Sequence, residues 1–311
     1  MKIERAHILF AVICVVWGTT WIAAKIGISA VPPLLFVGTR FVLAGAVLML
    51  FTRANGAPLL PARADLPRFG IVTLLMVIGT YAPLFWGAKF VSSGLASILN
   101  LAFMPVALLL IGTALREDRI TPIRGLGVAI GIAGLLLLFG PKAMSGHGAG
   151  GSMELAGSLA IVASALLYSC GSVMARPLLR RYSPVQVSGL TTTLGGLALL
   201  AISLAFEPGA IAALDGQWGA PAWAGWWFLV LFGSLAAYPA YLLLVREWGA
   251  ARAGAYAFVS PIFAVLLGII VFGEHATLTD ALGMLTMLAG AFLSLRGEAS
   301  VPARLPGRVA D

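Results

Sequence analysis

The sequence has 311 residues, of which 60% are hydrophobic and only 10% are charged. A soluble globular chain carries about 25% charged residues, so this chain cannot cover a water-facing surface, and lipid is its natural solvent. The net charge of +8 could point to a nucleic-acid partner, but its placement favours a membrane topology signal, and we expect no nucleic acid. The two cysteines lie far apart in apolar runs, which fits neither a disulfide framework nor a metal site.

Ten apolar segments are long enough to cross a bilayer, which takes roughly 20 residues. The first follows Lys2 and Arg5 as a signal peptide would, but it is too long and further spans follow it, so we interpret it as a retained span. The predicted fold class is an all-α membrane protein with ten transmembrane helices. In chain order the predicted spans are 7–29, 33–52, 66–91, 92–115, 122–140, 153–179, 184–206, 222–246, 250–272 and 277–295.

The basic residues segregate to one side of these spans. Sixteen of the 20 Lys and Arg residues lie in the even-numbered connections, at the N-terminus or in the C-terminal tail. Only Lys89 and Lys142 lie in odd-numbered connections, while Lys25 and Arg40 lie within spans. The positive-inside rule assigns the basic side to the cytoplasm. We therefore predict a multi-pass protein of the bacterial inner (plasma) membrane with both termini cytoplasmic.

The chain also repeats itself. Residues 94–135 align without gaps to residues 250–291, so that Pro105 matches Pro261, and a weaker match continues upstream. Five spans is an odd number, so the second half enters the membrane from the other side. This inverted repeat is a recurrent transporter architecture with the binding site at the repeat interface. We predict a first five-helix repeat at 1–140, a linker at 141–152, a second five-helix repeat at 153–296 and a cytoplasmic tail at 297–311.

Several short motifs occur in order and in duplicate along the spans. They are Trp17-Gly18-Thr19-Thr20-Trp21 with Lys25, then Arg40, then Pro105 with Glu117-Asp118, and Pro261 with Phe272-Gly273-Glu274. Together they resemble the EamA-type members of the drug/metabolite transporter superfamily, over about residues 5–297. The resemblance implies export of amino acids, other metabolites or drugs by alternating access through a central cavity. It also implies a monomer, as in the amino-acid exporters of that family.

Four prolines lie well inside the spans at matching positions in the two halves: Pro83, Pro105, Pro239 and Pro261. Each removes a backbone donor and opens or kinks its helix. In lipid the freed carbonyl must find another partner or face water. Proline is also common in membrane helices generally, but the duplicated placement favours kinks that shape or gate a wet cavity.

Polar and aromatic residues at helical spacing mark the candidate substrate site. Polar groups that face hydrocarbon are costly, so these faces should point inward. The alternatives are helix–helix contact for the serines and an interfacial belt for the aromatics, for which the tyrosines lie too deep. Arg40 could equally attract a substrate carboxylate or bind helix-end carbonyls. The candidates are Trp17, Thr20, Arg40, Tyr81, Ser97, Asn100, Tyr168, Tyr238, Tyr256 and Ser260.

Span five carries Gly127 and Gly131, a GxxxG pair that allows close helix contact. The contact could lie within the chain or between protomers, and we favour a contact within the chain.

The distribution of titratable residues narrows the chemistry. All 12 Asp and Glu residues and the three His residues lie in loops, tails or span ends. No phosphate loop, Ser–His–Asp set or metal-ligand spacing occurs, so we expect neither an enzyme nor a cofactor or metal. A zwitterionic or neutral solute of amino-acid size fits best. Two alternatives stay open: an exporter of drugs or other neutral metabolites, and a membrane assembly or regulatory component that transports nothing.

Overall fold

The structure is a computed structural model that describes residues 5–91, 93–145, 151–272 and 277–296. Within these residues ten helices are long and apolar enough to cross a membrane, which confirms the predicted fold class. The one-turn helix Ala250–Ala253 leads into the ninth. The helices are α1 (Arg5–Ile28), α2 (Pro33–Ala54), α3 (Arg63–Gly87), α4 (Ser93–Ala114), α5 (Pro122–Ser145), α6 (Gly151–Leu179), α7 (Pro184–Phe206), α8 (Ala220–Trp248), α9 (Tyr256–Phe272) and α10 (Leu278–Arg296).

Some sequence predictions concern residues that the structure does not describe. The acid of the second repeat, Glu274, and the tail at 297–311 lie outside the described residues, as do His147 and His275.

Side-chain hydrogen bonds cap the N-termini of two helices, α7 and α2. The Ser183 hydroxyl caps α7 by accepting a hydrogen bond from the Gln186 amide at 3.1 Å. The start of α2 is capped by a residue that is distant in the sequence. The Glu207 carboxylate accepts hydrogen bonds from the amides of Leu34 at 2.9 Å and Leu35 at 3.2 Å. A carboxylate at a helix N-terminus also offsets the positive end of the helix dipole. Glu207 follows the end of α7, so this cap ties α2 to α7.

The helices α3 and α8 are not regular along their length. The backbone widens to a π-helix over Leu74–Ile78 in α3 and over Leu229–Ala237 in α8. The two segments occupy matching places in the two halves, and each comes shortly before a span proline, Pro83 or Pro239. Proline removes an amide donor and clashes with the preceding turn, and a wider turn is one way to accommodate that. These are therefore the points where α3 and α8 depart from ideal geometry.

Two pairs of helices touch through glycine: α2 with α7, and α5 with α10. A Cβ atom added to Gly196 would lie 2.7 Å from the Val42 amide nitrogen, and one added to Gly290 would lie 2.4 Å from the Gly131 amide nitrogen. Neither site has room for a side chain. The predicted contact of the span-five glycines within the chain is confirmed. The glycines recur between the halves as Gly38 and Gly189, Gly45 and Gly196, Gly127 and Gly283, and Gly134 and Gly290.

The other six helices form two groups that mix the halves. The helix α6 of the second half packs against α3 and α4 of the first, and we call these three helices group A. The helix α1 of the first half packs against α8 and α9 of the second, and we call these three helices group B. Because α1 and α6 are corresponding helices, the two groups are related by the same inverted repeat.

One end of the bundle carries the even-numbered connections and most of the basic residues, and we call it the basic end. There the Glu117 carboxylate pairs with Arg180 at 2.7 Å and with Arg176 at 3.2 Å, which fastens α4 to α6. Asp118 forms a buried ion pair with Arg124 at 2.5 Å. Acids in these connections thus serve the loops and helix ends. We call the other end of the bundle the opposite end.

Candidate functional site

Four aromatic side chains fill the centre between group A and group B. Their ring centroids are separated by 4.5 Å for Trp17 and Tyr256, 5.2 Å for Trp17 and Tyr241, 5.7 Å for Tyr241 and Tyr256, and 5.8 Å for Tyr168 and Tyr241. Tilted and edge-to-face contacts at such distances are favourable for aromatic rings. We call these four residues the aromatic cluster. Tyr168 comes from group A and the other three from group B, so the cluster joins the two groups.

Tyrosine hydroxyls strengthen this junction. The hydroxyls of Ser172 on α6 and Tyr241 on α8 share a hydrogen bond of 2.7 Å. The Tyr256 hydroxyl on α9 donates to the Met104 sulfur on α4 at 3.0 Å. With a rise of 1.5 Å per residue, Tyr241 lies roughly 10 Å from the basic end of its helix. The two groups are therefore bonded to each other on the basic side of the bundle.

A second level of the site lies nearer to the opposite end. The side chain of Arg40 is buried, with 7% of the residue exposed. Its guanidinium carbon lies 4.5 Å from the centre of the Phe41 ring and 6.0 Å from the centre of the Tyr81 ring. Tyr81 is partly exposed and itself lies between Phe41, at 5.0 Å, and Phe85, at 6.3 Å. Arg40 is seven residues into α2, which places it roughly 10 Å from the opposite end.

The two levels are connected through tyrosine. Tyr81, beside Arg40, and Tyr238 pack against the same hydrophobic core, which contains Phe41, Tyr168 and Tyr256. Tyr238 also extends toward group A, where its hydroxyl lies 3.9 Å from the sulfur of Met76. Arg40, Tyr81, Tyr168, Tyr238 and Tyr256, all predicted from the sequence, thus belong to one neighbourhood.

Other predicted residues take different places. Asn100 is buried, and its amide donates a long bond of 3.4 Å to the Ser164 hydroxyl, which joins α4 to α6 inside group A. The Thr20 hydroxyl bonds the carbonyl of Trp17 on its own helix at 2.8 Å, and its methyl group faces Gly233 of α8. Thr20 therefore lies beside the π-helical segment of α8 rather than in the aromatic cluster.

Two serines complete the predicted set. Ser97 is partly buried on α4. Ser260 is buried on α9, and its backbone carbonyl lies 2.4 Å from the point where a Cβ atom of Gly18 would stand. Gly18 therefore lets α1 and α9 approach within group B.

Two of the four span prolines stand next to residues that contact the other group, Met104 and Tyr238. Pro105 directly follows Met104, and Pro239 directly follows Tyr238. Pro261 directly follows Ser260. The described residues of α4 and α9 are α-helical on both sides of their prolines, whereas a π-helical segment precedes the proline in α3 and in α8. The four predicted kink sites therefore differ in backbone form.

Tyr241 is the main site residue that the sequence prediction left out. It is fully buried, and it contacts Trp17, Tyr168, Tyr256 and Ser172. A signal was present in the sequence, because residues three apart on a helix share a face. Tyr241 is three residues beyond Tyr238, so the same face carries both tyrosines.

Three buried polar groups at these levels have no hydrogen-bond partner in the described part of the chain: Arg40 Nε, the Tyr168 hydroxyl and Ser260 Oγ. Such groups are rare in folded proteins and call for an explanation.

The same part of the chain has no cluster of three His, Cys, Asp or Glu side chains that could hold a metal. A groove elsewhere, between α1, α9 and α10, is lined by apolar residues such as Phe10 and Phe292, which suits lipid rather than a polar solute.

Comparisons with known proteins show the family and the fold of the chain. The model of the EamA-like transporter family matches residues 5–140 and, a second time, residues 155–296. The "Uncharacterized inner membrane transporter YedA" of Escherichia coli (strain K12) is 30% identical over 299 residues, which cover 95% of this chain and 92% of that protein. The "Uncharacterized transporter YoaV" of Bacillus subtilis (strain 168) is 25% identical, over 91% of this chain and 94% of that protein. A solved crystal structure with 20% identity has the same fold, with a TM-score of 0.77 over 94% of this chain and 97% of that one.

Proposed function

The chain belongs to the EamA-like transporter family and is a multi-pass inner membrane transporter, and we propose that it exports amino acids or similar small metabolites by alternating access. The observation that carries this proposal is the junction of group A and group B at the aromatic cluster. In inverted-repeat transporters the substrate site lies at the interface of the repeats, and access alternates by rocking or gating of one repeat or bundle against the other.

In the proposed cycle the junction on the basic side opens as the opposite side closes. Among the described residues the bonds that must break include one hydroxyl pair, Ser172 with Tyr241, and the contacts of Tyr256 and Tyr238 with methionine sulfur. A methionine side chain is flexible and adapts to new neighbours. These bonds are therefore suited to a junction that forms and breaks repeatedly.

The helices best suited to bend are α3 and α8. Each combines a π-helical segment with a proline, and such segments occur frequently at functional sites. Because they occupy matching places in an inverted repeat, one can open the basic side and the other the opposite side.

The proposed substrate is small and carries both hydrogen-bond donors and hydrogen-bond acceptors. Aromatic walls supply apolar contact area with hydroxyl handles, and the amide of Asn100 can both donate and accept. No Asp or Glu lies in the middle of a span, so a permanent cation would lack a counter-ion. A zwitterionic amino acid or a similar metabolite meets these conditions.

Orientation and energy coupling form part of the proposal. We place both termini and the basic end in the cytoplasm, because 16 of 20 basic residues lie on that side. Reporter fusions after Asp311 and within 146–151 should then report the cytoplasm and the periplasm, respectively. Fusions that report the same side would contradict the inverted topology.

Proton-coupled transporters usually carry an acid or histidine within a span, and here no Asp, Glu or His lies in the middle of one. We therefore expect movement down the solute gradient, or coupling through the substrate's own proton. A solute whose charge is constant over the pH range tests this expectation. If its uphill transport stops when the pH gradient is removed, the proposed energy coupling is contradicted.

The test of the function is a flux measurement with the purified chain in proteoliposomes. Vesicles loaded with a mixed pool of amino acids, drugs and nucleotide sugars are diluted, and the release of each solute is compared with protein-free vesicles. The proposal expects selective, saturable release of at least one amino acid or related metabolite. Release of none of the pool would favour a membrane component that transports nothing, and selective release of drugs would favour a drug exporter.

A further inference from the structure

Arg40 is a buried cation with no counter-ion among the described residues. In the described part of the chain it forms no ion pair, and its Nε has no hydrogen-bond partner. Its neighbours are the rings of Phe41 and Tyr81 and the Tyr81 hydroxyl. A guanidinium that is buried in a membrane protein is costly unless it is paired or hydrated, and such residues usually mark a functional path.

The chain pairs its arginines where they hold structure together. Among the described residues four of them form ion pairs near the basic end: Arg124 with Asp118, Arg176 and Arg180 with Glu117, and Arg181 with Asp65. The acid that approaches the start of α2 is Glu207, and it is used as the cap of Leu34 and Leu35. Among the described residues no acid is therefore paired with Arg40, and no carbonyl accepts a hydrogen bond from it.

We propose that Arg40, together with the Tyr81 hydroxyl, is the docking site for a carboxylate of the transported solute. This inference rests on the proposed function and names its substrate class: small metabolites that carry one carboxylate. The guanidinium offers five N–H donors in a planar fork, which matches the two oxygens of a carboxylate. The Tyr168 hydroxyl, which is buried and has no hydrogen-bond partner among the described residues, offers a further polar contact.

The surroundings select for one carboxylate rather than for a larger anion. The rings of Phe41, Tyr81 and Phe85 surround Arg40 with apolar area. The positive charge available to a solute is therefore that of a single guanidinium. A diphosphate would require several cations, and Arg40 is the only Lys or Arg placed in the middle region of a described span. The rest of the solute would lie against the aromatic cluster, between Arg40 and the basic end.

The experiment uses the full chain, purified and reconstituted, with pairs of solutes that differ only at the carboxyl group. The pairs are L-leucine and L-leucinamide, L-phenylalanine and L-phenylalaninamide, and L-threonine and L-threoninamide. The variants are Arg40→Gln, Arg40→Lys and, as a matched control, Lys25→Gln, which removes one positive charge from an exposed residue near the opposite end. Uptake kinetics and the melting temperature without solute are measured for each.

We expect the wild-type chain to move at least one acid and not its amide. Arg40→Gln should raise KM for that acid at least about tenfold, because a charge-assisted pair is lost. Arg40→Lys should keep part of the uptake, and Lys25→Gln should behave as the wild type. The melting temperature of Arg40→Gln should equal or exceed that of Lys25→Gln, because a buried unpaired charge has been removed.

Three results would overturn the inference while the proposed function stands: equal transport of acid and amide, an unchanged KM in Arg40→Gln, or a melting temperature of Arg40→Gln below that of Lys25→Gln. The last result would show that Arg40 holds the fold together. If the wild-type chain moves none of the six solutes but moves another small metabolite that lacks a carboxylate, the inference fails alone. Release of no solute at all would mean that the proposed function has failed, and the melting temperatures would still decide the role of Arg40.

Discussion

The two glycine-paired contacts and the junction between group A and group B are built in opposite ways. Where α5 meets α10, backbones touch, and a Cβ atom on Gly290 would lie 2.4 Å from the Gly131 nitrogen and 2.6 Å from its Cα. At the junction, long side chains meet instead, with tyrosine hydroxyls bonded to Ser172 and to the sulfur of Met104. Contact between backbones leaves no freedom, whereas contact between flexible side chains can be remade.

The difference assigns different tasks to the helices. Glycine pairs hold α2 to α7 and α5 to α10, and these pairs join corresponding helices of the two halves along the repeat axis. The four span prolines and the two π-helical segments lie in the other helices. We therefore interpret the glycine pairs as a fixed frame and groups A and B as the parts that move within it.

The largest effect is expected when the frame is overpacked. Gly290→Ala places a methyl group against the backbone of α5, and overpacking typically costs about 1–3 kcal/mol. The matched control is Gly125→Ala on α5, where a Cβ atom meets nothing within 4 Å. There alanine should stabilise the helix by about 0.5–1 kcal/mol. Thermal unfolding in detergent measures both changes, and equal melting temperatures for the two variants would contradict a fixed frame.

The next effect concerns the moving helices. Pro239→Ala restores an amide donor beside the π-helical segment of α8, and it should favour a straighter, stiffer helix. We expect the fold to be kept and the maximal transport rate to fall several-fold. Pro184→Ala is the control, because Pro184 stands at the first turn of α7, where proline disturbs no bond. If the two variants transport equally fast, α8 does not bend during the cycle.

The sequence predicted the frame better than the junction. Ten spans, the inverted repeat and the GxxxG pair at Gly127 follow from composition and spacing, since length and apolar content decide which segments cross a bilayer. The π-helical segments leave no such signature, because the wider turn depends on how the helix packs and not on one residue type. The crossing of α1 to group B, and with it the burial of Tyr241 beside Trp17, depends on contacts between distant parts of the chain.

A smaller effect is expected from one hydrogen bond of the junction. Tyr241→Phe removes the 2.7 Å bond to Ser172 and keeps the ring. A net hydrogen bond contributes about 0.5–1.5 kcal/mol, so the population open toward the basic end should rise by about two- to tenfold. The population is measured by spin-label distances across the basic end, because a reporter cysteine at Ser172 would itself remove the hydrogen bond. Ser172→Ala should give the same shift, and the double variant should add little to it.

The smallest change in stability is expected at Asn100, within group A. Asn100→Leu keeps a similar bulk and removes a long bond to Ser164, whose hydroxyl also donates to the carbonyl of Ile161 at 2.7 Å. Membrane insertion should be retained and stability should change by less than about 1 kcal/mol, while transport falls because a polar contact is lost. Unchanged flux for every amino acid tested would remove Asn100 from the substrate site.

The central claim is that groups A and B move within a fixed frame. Its most direct test places pairs of spin labels in a chain without Cys14 and Cys170, and measures their distances with and without a transported solute. One pair joins Leu115, after α4, to Glu247, in the last turn of α8, and the other joins Asn55, after α2, to Ser183, before α7; all four residues are exposed. The account predicts that the solute broadens or shifts the first distance and leaves the second unchanged. Equal shifts in both pairs, or a shift in the second alone, would contradict it.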